Sequence, residues 1–159
     1  MLNTFKEEQK FRQVWLWGII LGLPILLSLF VLSEHFGDHP MSTDELIFSL
    51  IIAWASVLLF WILSLRTKID RDAVVIQFFP FRKKRIGWDE VESAEVLNYG
   101  FVGGYGIRMW TRYGTVYNVS GHMGLALRLM NGKKVCIGTQ RAEELEKFLT
   151  GLDLKMDRV

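Results

Sequence analysis

Two uncharged, apolar stretches near the start of the chain decide its fold: residues 14–33, VWLWGIILGLPILLSLFVLS, and residues 46–65, LIFSLIIAWASVLLFWILSL. A helix of twenty residues is about 30 Å long, which matches the hydrocarbon core of a bilayer. The first stretch is also longer than the apolar region of about 7–15 residues in a signal peptide. We therefore predict a retained transmembrane helical hairpin at residues 14–65, with an outer loop at residues 34–45.

Basic residues beside the hairpin predict its orientation. Three cations precede the first helix and three follow the second: Lys6, Lys10, Arg12, Arg66, Lys68 and Arg71. The outer loop contains acidic residues and neither Lys nor Arg. Short flanks rich in Lys and Arg stay in the cytoplasm, so both termini are expected there, with residues 1–13 forming an N-terminal cytoplasmic segment. Four of these cations are predicted to contact anionic headgroups: Lys10, Arg12, Arg66 and Lys68.

Small residues on both apolar stretches predict how the two helices pack. Gly18 and Gly22 lie one helical turn apart on the first helix, and Ala53 and Ser56 lie at a similar depth on the second. Small side chains allow two helix backbones to approach closely. We interpret them as packing within the hairpin, in preference to homodimerisation.

Residues 66–159 predict one small cytoplasmic domain that is rich in strands. The expected strands are residues 73–79, 82–88, 92–97, 106–111, 115–120, 125–130 and 133–138. Asn131-Gly132 is a strong hairpin signal between the last two strands. A helix capped by Thr139 is expected to follow, with an apolar stripe that includes Leu145 and Phe148. The fold class is therefore α+β, with antiparallel strands forming a barrel or bent sandwich that the C-terminal helix closes.

Four short motifs give this domain a resemblance to a known family: Ile86–Val91 (IGWDEV), Gly103–Arg108 (GGYGIR), Leu125–Leu129 (LALRL) and Ile137–Gln140 (IGTQ). Over residues 66–152 the chain resembles the bacterial pleckstrin-homology-like (PH-like) membrane proteins. The resemblance implies a seven-stranded barrel with a capping helix, a place in the bacterial inner membrane as a multi-pass protein, and a role in binding or scaffolding. It carries no catalytic residues to this chain.

Motifs for catalysis, metals and cofactors are not evident in the sequence. The run that starts at Gly104 lacks the third glycine of a dinucleotide-binding fingerprint. Cys136 is the only cysteine, which excludes an internal disulfide and a zinc site with several thiolates. His35, Asp38 and His39 form at best a weak metal site, and a solvated loop is the better interpretation. We predict a protein that is not an enzyme and has neither a metal nor a cofactor.

The charge of the domain predicts a binding surface. Residues 66–159 contain 16 Lys or Arg and 11 Asp or Glu, and four of the cations are consecutive at Arg82–Arg85. A strand that left the bilayer near Arg71 would place this cluster about 25 Å away, beyond several Debye lengths. An acidic protein partner or a solvated turn is therefore favoured over lipid. No nucleic-acid-binding motif accompanies the charge.

Aromatic residues in a glycine-rich connection, residues 98–105, form the second candidate surface. The predicted binding residues are Arg82, Lys83, Lys84, Arg85, Tyr99, Phe101 and Tyr105. The favoured function is a non-catalytic, membrane-anchored module that presents its domain to a protein, peptide or lipid. The alternative is an accessory subunit that stabilises a larger membrane complex, and Trp54 near the middle of the second helix favours it mildly.

Overall fold

The fold was analysed in a computed structural model, which describes residues 4–37 and 41–152. It divides the chain into two compact units, one formed by Met1–Lys10 and Ser64–Val159, the other by Phe11–Leu63. Asp38 and His39, from the weak metal alternative, lie outside the described residues.

The Phe11–Leu63 unit contains two helices, α1 (Val14–His35) and α2 (Thr43–Ile62). Both are long and apolar enough to cross a bilayer, by length and composition, and most of their large apolar side chains are exposed. The helix α2 begins earlier than predicted because Ser42 and Glu45 form a capping box at its start. It also ends earlier, since Ser64 and Leu65 belong to a strand.

The packing of α1 on α2 corrects the small-residue prediction. Ile20 and Pro24 are the buried residues of α1, and Ser28, one turn further on, accepts a hydrogen bond from the indole of Trp54 at 3.2 Å. Gly18 is exposed, and a Cβ at Gly18 or Gly22 would meet no atom within 4 Å. Positions 20, 24 and 28 share one helix face, and the two glycines are centred about 140° around the helix from the centre of that face. On α2, Ala53 is half-buried and Ser56 is exposed.

The other unit contains two β-sheets. The first has four antiparallel strands in the order β1-β2-β3-β4: β1 (Phe5–Lys10), β2 (Ser64–Ile69), β3 (Ala73–Phe79) and β4 (Arg82–Gly87). The second has five strands in the order β5-β8-β9-β7-β6: β5 (Val91–Asn98), β6 (Gly106–Thr111), β7 (Gly114–Asn118), β8 (Met123–Leu129) and β9 (Lys134–Gly138). A short 3₁₀ turn, Trp88–Glu90, connects the sheets, and α3 (Ala142–Gly151) follows β9.

This topology corrects the expected barrel. The described strands form two separate sheets, and β7 pairs with β9 in parallel, so neither a closed barrel nor a purely antiparallel arrangement is present among them. The pairing of β6 with β7 becomes irregular between Arg108 and Thr111, where Trp110 has a φ of 59°. A bulged edge of this kind interrupts the regular ladder that closure of a barrel requires.

The first strand, β1, was not predicted, and it changes the domain boundaries. Residues 5–10 pair with residues 64–69, although the whole helical hairpin separates them in the sequence. The N-terminal segment and the strand-rich region therefore form one unit, and the second part of that unit begins at Ser64. Phe5, Glu7 and Gln9 are buried, and the residues between them are exposed. The alternation that usually marks a strand is hidden in the sequence because two of the three buried residues are polar.

The helix α3 lies against β1 and β5, with Leu145 buried and the Phe148 ring centroid 6.1 Å from that of Phe5. It begins at Ala142, with Arg141 as the N-cap in place of the predicted Thr139. The Thr139 hydroxyl donates a 2.6 Å hydrogen bond to Glu7 and accepts one from the Arg141 backbone N–H at 3.0 Å. Each sheet has one face of buried apolar side chains, and together these faces enclose the core of the unit.

Candidate binding surfaces

The outer face of the four-stranded sheet carries a concentration of positive charge. The register aligns outward-facing residues in rows across the strands: Lys6, Lys68, Val75 and Arg85 in one row, and Glu8, Arg66, Gln77 and Lys83 in the next. Lys10 lies at the end of β1, beside Ser64. We call the six cations Lys6, Lys10, Arg66, Lys68, Lys83 and Arg85 the basic face. From strand spacings, it is about 15 Å across.

Few acidic groups neutralise the basic face. Arg66 forms an ion pair with Glu8 at 3.2 Å and also lies over the ring of Phe79. Lys68 contacts Asp70 at 3.1 Å, and this hydrogen bond lowers the pKa of the Asp70 carboxyl. The other four cations form no ion pair with any described residue. Both ion pairs are exposed, so each contributes less than about 1 kcal/mol to stability.

The sequence suggested that the consecutive cations of β4 form one surface, but the structure places them on two faces of the strand. Lys83 and Arg85 point outward onto the basic face, and Arg82 and Lys84 pair with the inward-facing residues Phe78 and Ile76. Lys84 is half-buried, and burial lowers the pKa of its ammonium group, with a further contribution from the charge of Lys133. Alternation along a strand separates neighbouring residues onto opposite faces.

The register also overturns the distance argument against lipid. That argument requires β3 to be the first strand after the hairpin and to run away from the bilayer, with Arg82–Arg85 at its far end. Instead β2 is the first strand after the hairpin, and β3 returns antiparallel to it, so that Phe79 pairs with Ser64. The start of β4 therefore lies at the Ser64 end of the sheet, which is only two residues along the chain from the end of α2.

The remaining predicted headgroup contact, Arg12, belongs to the other unit. It is exposed in the connection between β1 and α1, whereas Lys10, Arg66 and Lys68 lie on the basic face.

The glycine-rich connection covers the outer face of the five-stranded sheet. Tyr99 is 1 % exposed, and its hydroxyl donates a 3.2 Å hydrogen bond to the carbonyl of Gly121. Its ring lies over two strand glycines, because a Cβ at Gly124 would be 2.9 Å from a ring carbon and a Cβ at Gly138 would be 3.1 Å from the hydroxyl. Tyr99 is therefore a buried anchor, which corrects its assignment as a contact residue.

Beneath this connection lies a second, small core. Tyr99, Val116 and Cys136 are buried together, with Val102 packed against them. Burial raises the pKa of the Cys136 thiol to about 12 and also raises the pKa of Tyr99. The thiol is thus protonated and inaccessible at neutral pH, which fits the small core residue that the sequence indicated.

The two other aromatic residues of the connection remain accessible. Phe101 is 88 % exposed and Tyr105 is 37 % exposed. Both line an open cleft of about 430 Å³, together with Asn118 at the end of β7 and His122 from the segment between β7 and β8. The sequence indicated this connection as a contact surface, but it gave no sign of Asn118, whose position depends on the pairing of β7 with β9.

A buried polar junction joins the two sheets. Glu7 on β1 accepts hydrogen bonds from the Thr139 hydroxyl at 2.6 Å and the Gln140 amide at 2.8 Å. The Gln9 side chain donates to the carbonyl of Gly138 at 2.7 Å. These partners lie about 130 residues apart, so no sequence pattern indicates them. Each bond stabilises the contact between the first strand and the start of α3.

The described residues contain no cluster of three or more His, Cys, Asp or Glu side chains that could hold a metal ion. Trp110, at the tip of the β6–β7 hairpin, is 93 % exposed and was not singled out from the sequence. No protein-family model and no curated protein sequence matches the chain.

Proposed function

We propose that this protein is a non-catalytic binding module, anchored in the bacterial inner membrane by α1 and α2, whose basic face binds anionic phospholipid headgroups. The Lys and Arg residues that flank the helices support a cytoplasmic location for both termini. The PH-like assignment rests on the sequence motifs alone and is part of the proposal. The observation that carries the function is the register that aligns six cations from three of the four strands on one exposed face.

The choice of lipid rests on charge and on the short connections between the two units. Leu63 alone separates α2 from β2, and three residues separate β1 from α1. If the helices span a bilayer, anionic headgroups are therefore present near the Lys10 end of the sheet. Each Lys or Arg close to such a surface contributes about 1 kcal/mol, so six of them give a substantial, salt-dependent attraction.

The accessory-subunit alternative had mild support from Trp54. An indole in mid-helix suggested contact with the helices of another protein, but Trp54 donates to Ser28 within the hairpin. The absence of enzymatic activity remains a proposal, and the buried, protonated state of Cys136 supports it for thiol chemistry.

The experiment is a fluorescence-quenching measurement on the full chain in nanodiscs. Gln77, in the middle of the basic face, is replaced by Cys and labelled, and Cys136 stays unlabelled because it is buried. Lipids with a nitroxide headgroup serve as quencher, with phosphatidylglycerol as the anionic lipid. We expect strong quenching that needs phosphatidylglycerol and falls as salt is raised.

A label at Met130→Cys, an exposed turn position next to the five-stranded sheet, is the matched control and should be quenched less. Equal quenching in zwitterionic and anionic discs, or none in either, would contradict the proposal.

The predicted orientation is tested separately in intact cells. A cysteine at Ser42 should react with a membrane-impermeant thiol reagent, and one at Thr150 should not. The reverse pattern would place the basic face on the wrong side of the membrane for this function.

A further inference from the structure

The cleft beside the glycine-rich connection has polar features that the basic face does not explain. It lies between residues 98–105 and the segment that joins β7 to β8, and its walls combine apolar rings with a few polar groups. A volume of about 430 Å³ falls within the usual range for small-ligand sites. The cleft and the basic face share no residue, so an inference about the cleft stands independently of the proposed function.

Asn118 supplies an unused hydrogen-bond acceptor at the cleft. Its side chain is 2 % exposed, and its amide nitrogen donates to the carbonyl of Gly104 at 3.3 Å. The amide oxygen is buried and has no partner among the described residues. A buried acceptor without a donor is costly, so a ligand N–H that reached this oxygen would be favoured.

Arg108 supplies an unused cation next to the same wall. A Cβ at Gly104 would lie 2.4 Å from the Nη2 atom of Arg108, so the guanidinium is packed directly against the glycine backbone. The Nε atom is buried without a partner, and no described carboxylate pairs with the group. A guanidinium binds a carboxylate through two parallel hydrogen bonds, which makes a carboxylate the complementary ligand group.

Phe101 supplies an apolar surface that is otherwise left in water. Its ring is almost fully exposed, and Gly100 before it and Gly103 two residues after it have φ values of 66° and 83°. These backbone conformations favour glycine, and neither glycine has a side chain that could cover the Phe101 ring. Val102 and Tyr105 extend the apolar wall.

We propose that the cleft binds an N-acylated amino acid carboxylate with an apolar side chain, the chemistry shared by a peptide C-terminus and a free N-acyl amino acid. The carboxylate pairs with Arg108, the amide N–H donates to the Asn118 oxygen, and the side chain packs on Phe101. Asn118 and Phe101 line the cleft, and Arg108 packs against the lining residue Gly104. Each of these three unsatisfied features is thereby matched by one group of a single small ligand.

The first test measures ligand binding by isothermal titration calorimetry to the full chain in zwitterionic nanodiscs. N-acetylphenylalanine is expected to bind, and both N-acetylphenylalaninamide, which lacks the carboxylate, and the N-methylated analogue, which lacks the N–H, should bind at least about tenfold more weakly. Absence of binding at millimolar concentration, or equal affinity for the amide, would overturn the proposal. Tighter binding of acetyl-Gly-Gly-Phe would identify a peptide as the source, and equal binding would identify the free acid.

The second test uses paired variants. Arg108→Met should abolish the preference for the carboxylate over the amide, whereas Arg112→Met, in the same hairpin, should retain it. Phe101→Ser should weaken binding by about tenfold, and Trp110→Ser, an equally exposed aromatic, should leave it unchanged. Unaltered protection of Cys136 from thiol reagents shows that each variant is folded. If Arg108→Met keeps the wild-type preference, or if both members of a pair behave alike, the assignment is wrong.

Discussion

The two sheets of this unit share a core but differ in their outer faces. The four-stranded sheet leaves its outer face bare, with cations from β1, β2 and β4 exposed to solvent. The five-stranded sheet buries part of its outer face beneath Tyr99 and the glycine-rich connection. A bare charged face attracts opposite charges over about a Debye length, and a covered face provides a cleft of defined shape. This difference underlies the two binding modes that we propose for one small domain.

The covered face gives the largest expected effect on stability. Tyr99→Ala removes a fully buried ring above Gly124 and Gly138, and we expect a loss of about 3–5 kcal/mol. The loss should expose Cys136, so its reaction with a thiol reagent should accelerate by about a hundredfold or more in the full chain. Tyr99→Phe keeps the ring and loses only the bond to Gly121, about 1 kcal/mol. If Tyr99→Ala reacts no faster than Tyr99→Phe, the connection does not cover the sheet.

The junction between the sheets gives an intermediate effect. Glu7→Ala leaves the Thr139 hydroxyl and the Gln140 amide without an acceptor, at a cost of about 2–4 kcal/mol. Glu8→Ala, the neighbour on the exposed side of β1, should cost less than about 1 kcal/mol. The rate of Cys136 modification measures both losses. Similar rates for the two variants would show that β1 does not hold the sheets together through Glu7.

The parts of the fold that could be predicted are those with local apolar signals. The strands β3 and β6 have the predicted bounds, and Asn131-Gly132 forms the turn between β8 and β9. Both long helices are present, with ends shifted by a few residues. These segments carry their own apolar periodicity or turn residues, so the chain nearby is sufficient to indicate them.

The parts that could not be predicted depend on distant partners. The first strand buries Glu7 and Gln9 against residues 138–140, and the polar pattern of β1 alone suggests a solvated segment. The assignment of Tyr99 failed for the same reason, since the two glycines beneath its ring lie in strands far along the chain. Because β2 was not predicted, the expected direction of β3 was the reverse of the observed one. The cations of β4 were therefore expected at the wrong end of the sheet.

The most direct test of the basic face compares two variants with the same change in charge. Lys83→Gln with Arg85→Gln neutralises two residues of the basic face, and Arg82→Gln with Lys84→Gln neutralises their neighbours on the inner side of β4. Both are measured by quenching of the label at Gln77→Cys in discs that contain phosphatidylglycerol. In the first double variant, quenching should be lost at a clearly lower salt concentration than in the parent protein, since two cations near the surface contribute about 2 kcal/mol. In the second double variant, the salt dependence of quenching should match that of the parent protein. Equal shifts in both pairs would mean that net charge alone governs binding, and the basic face would not be the lipid-binding surface.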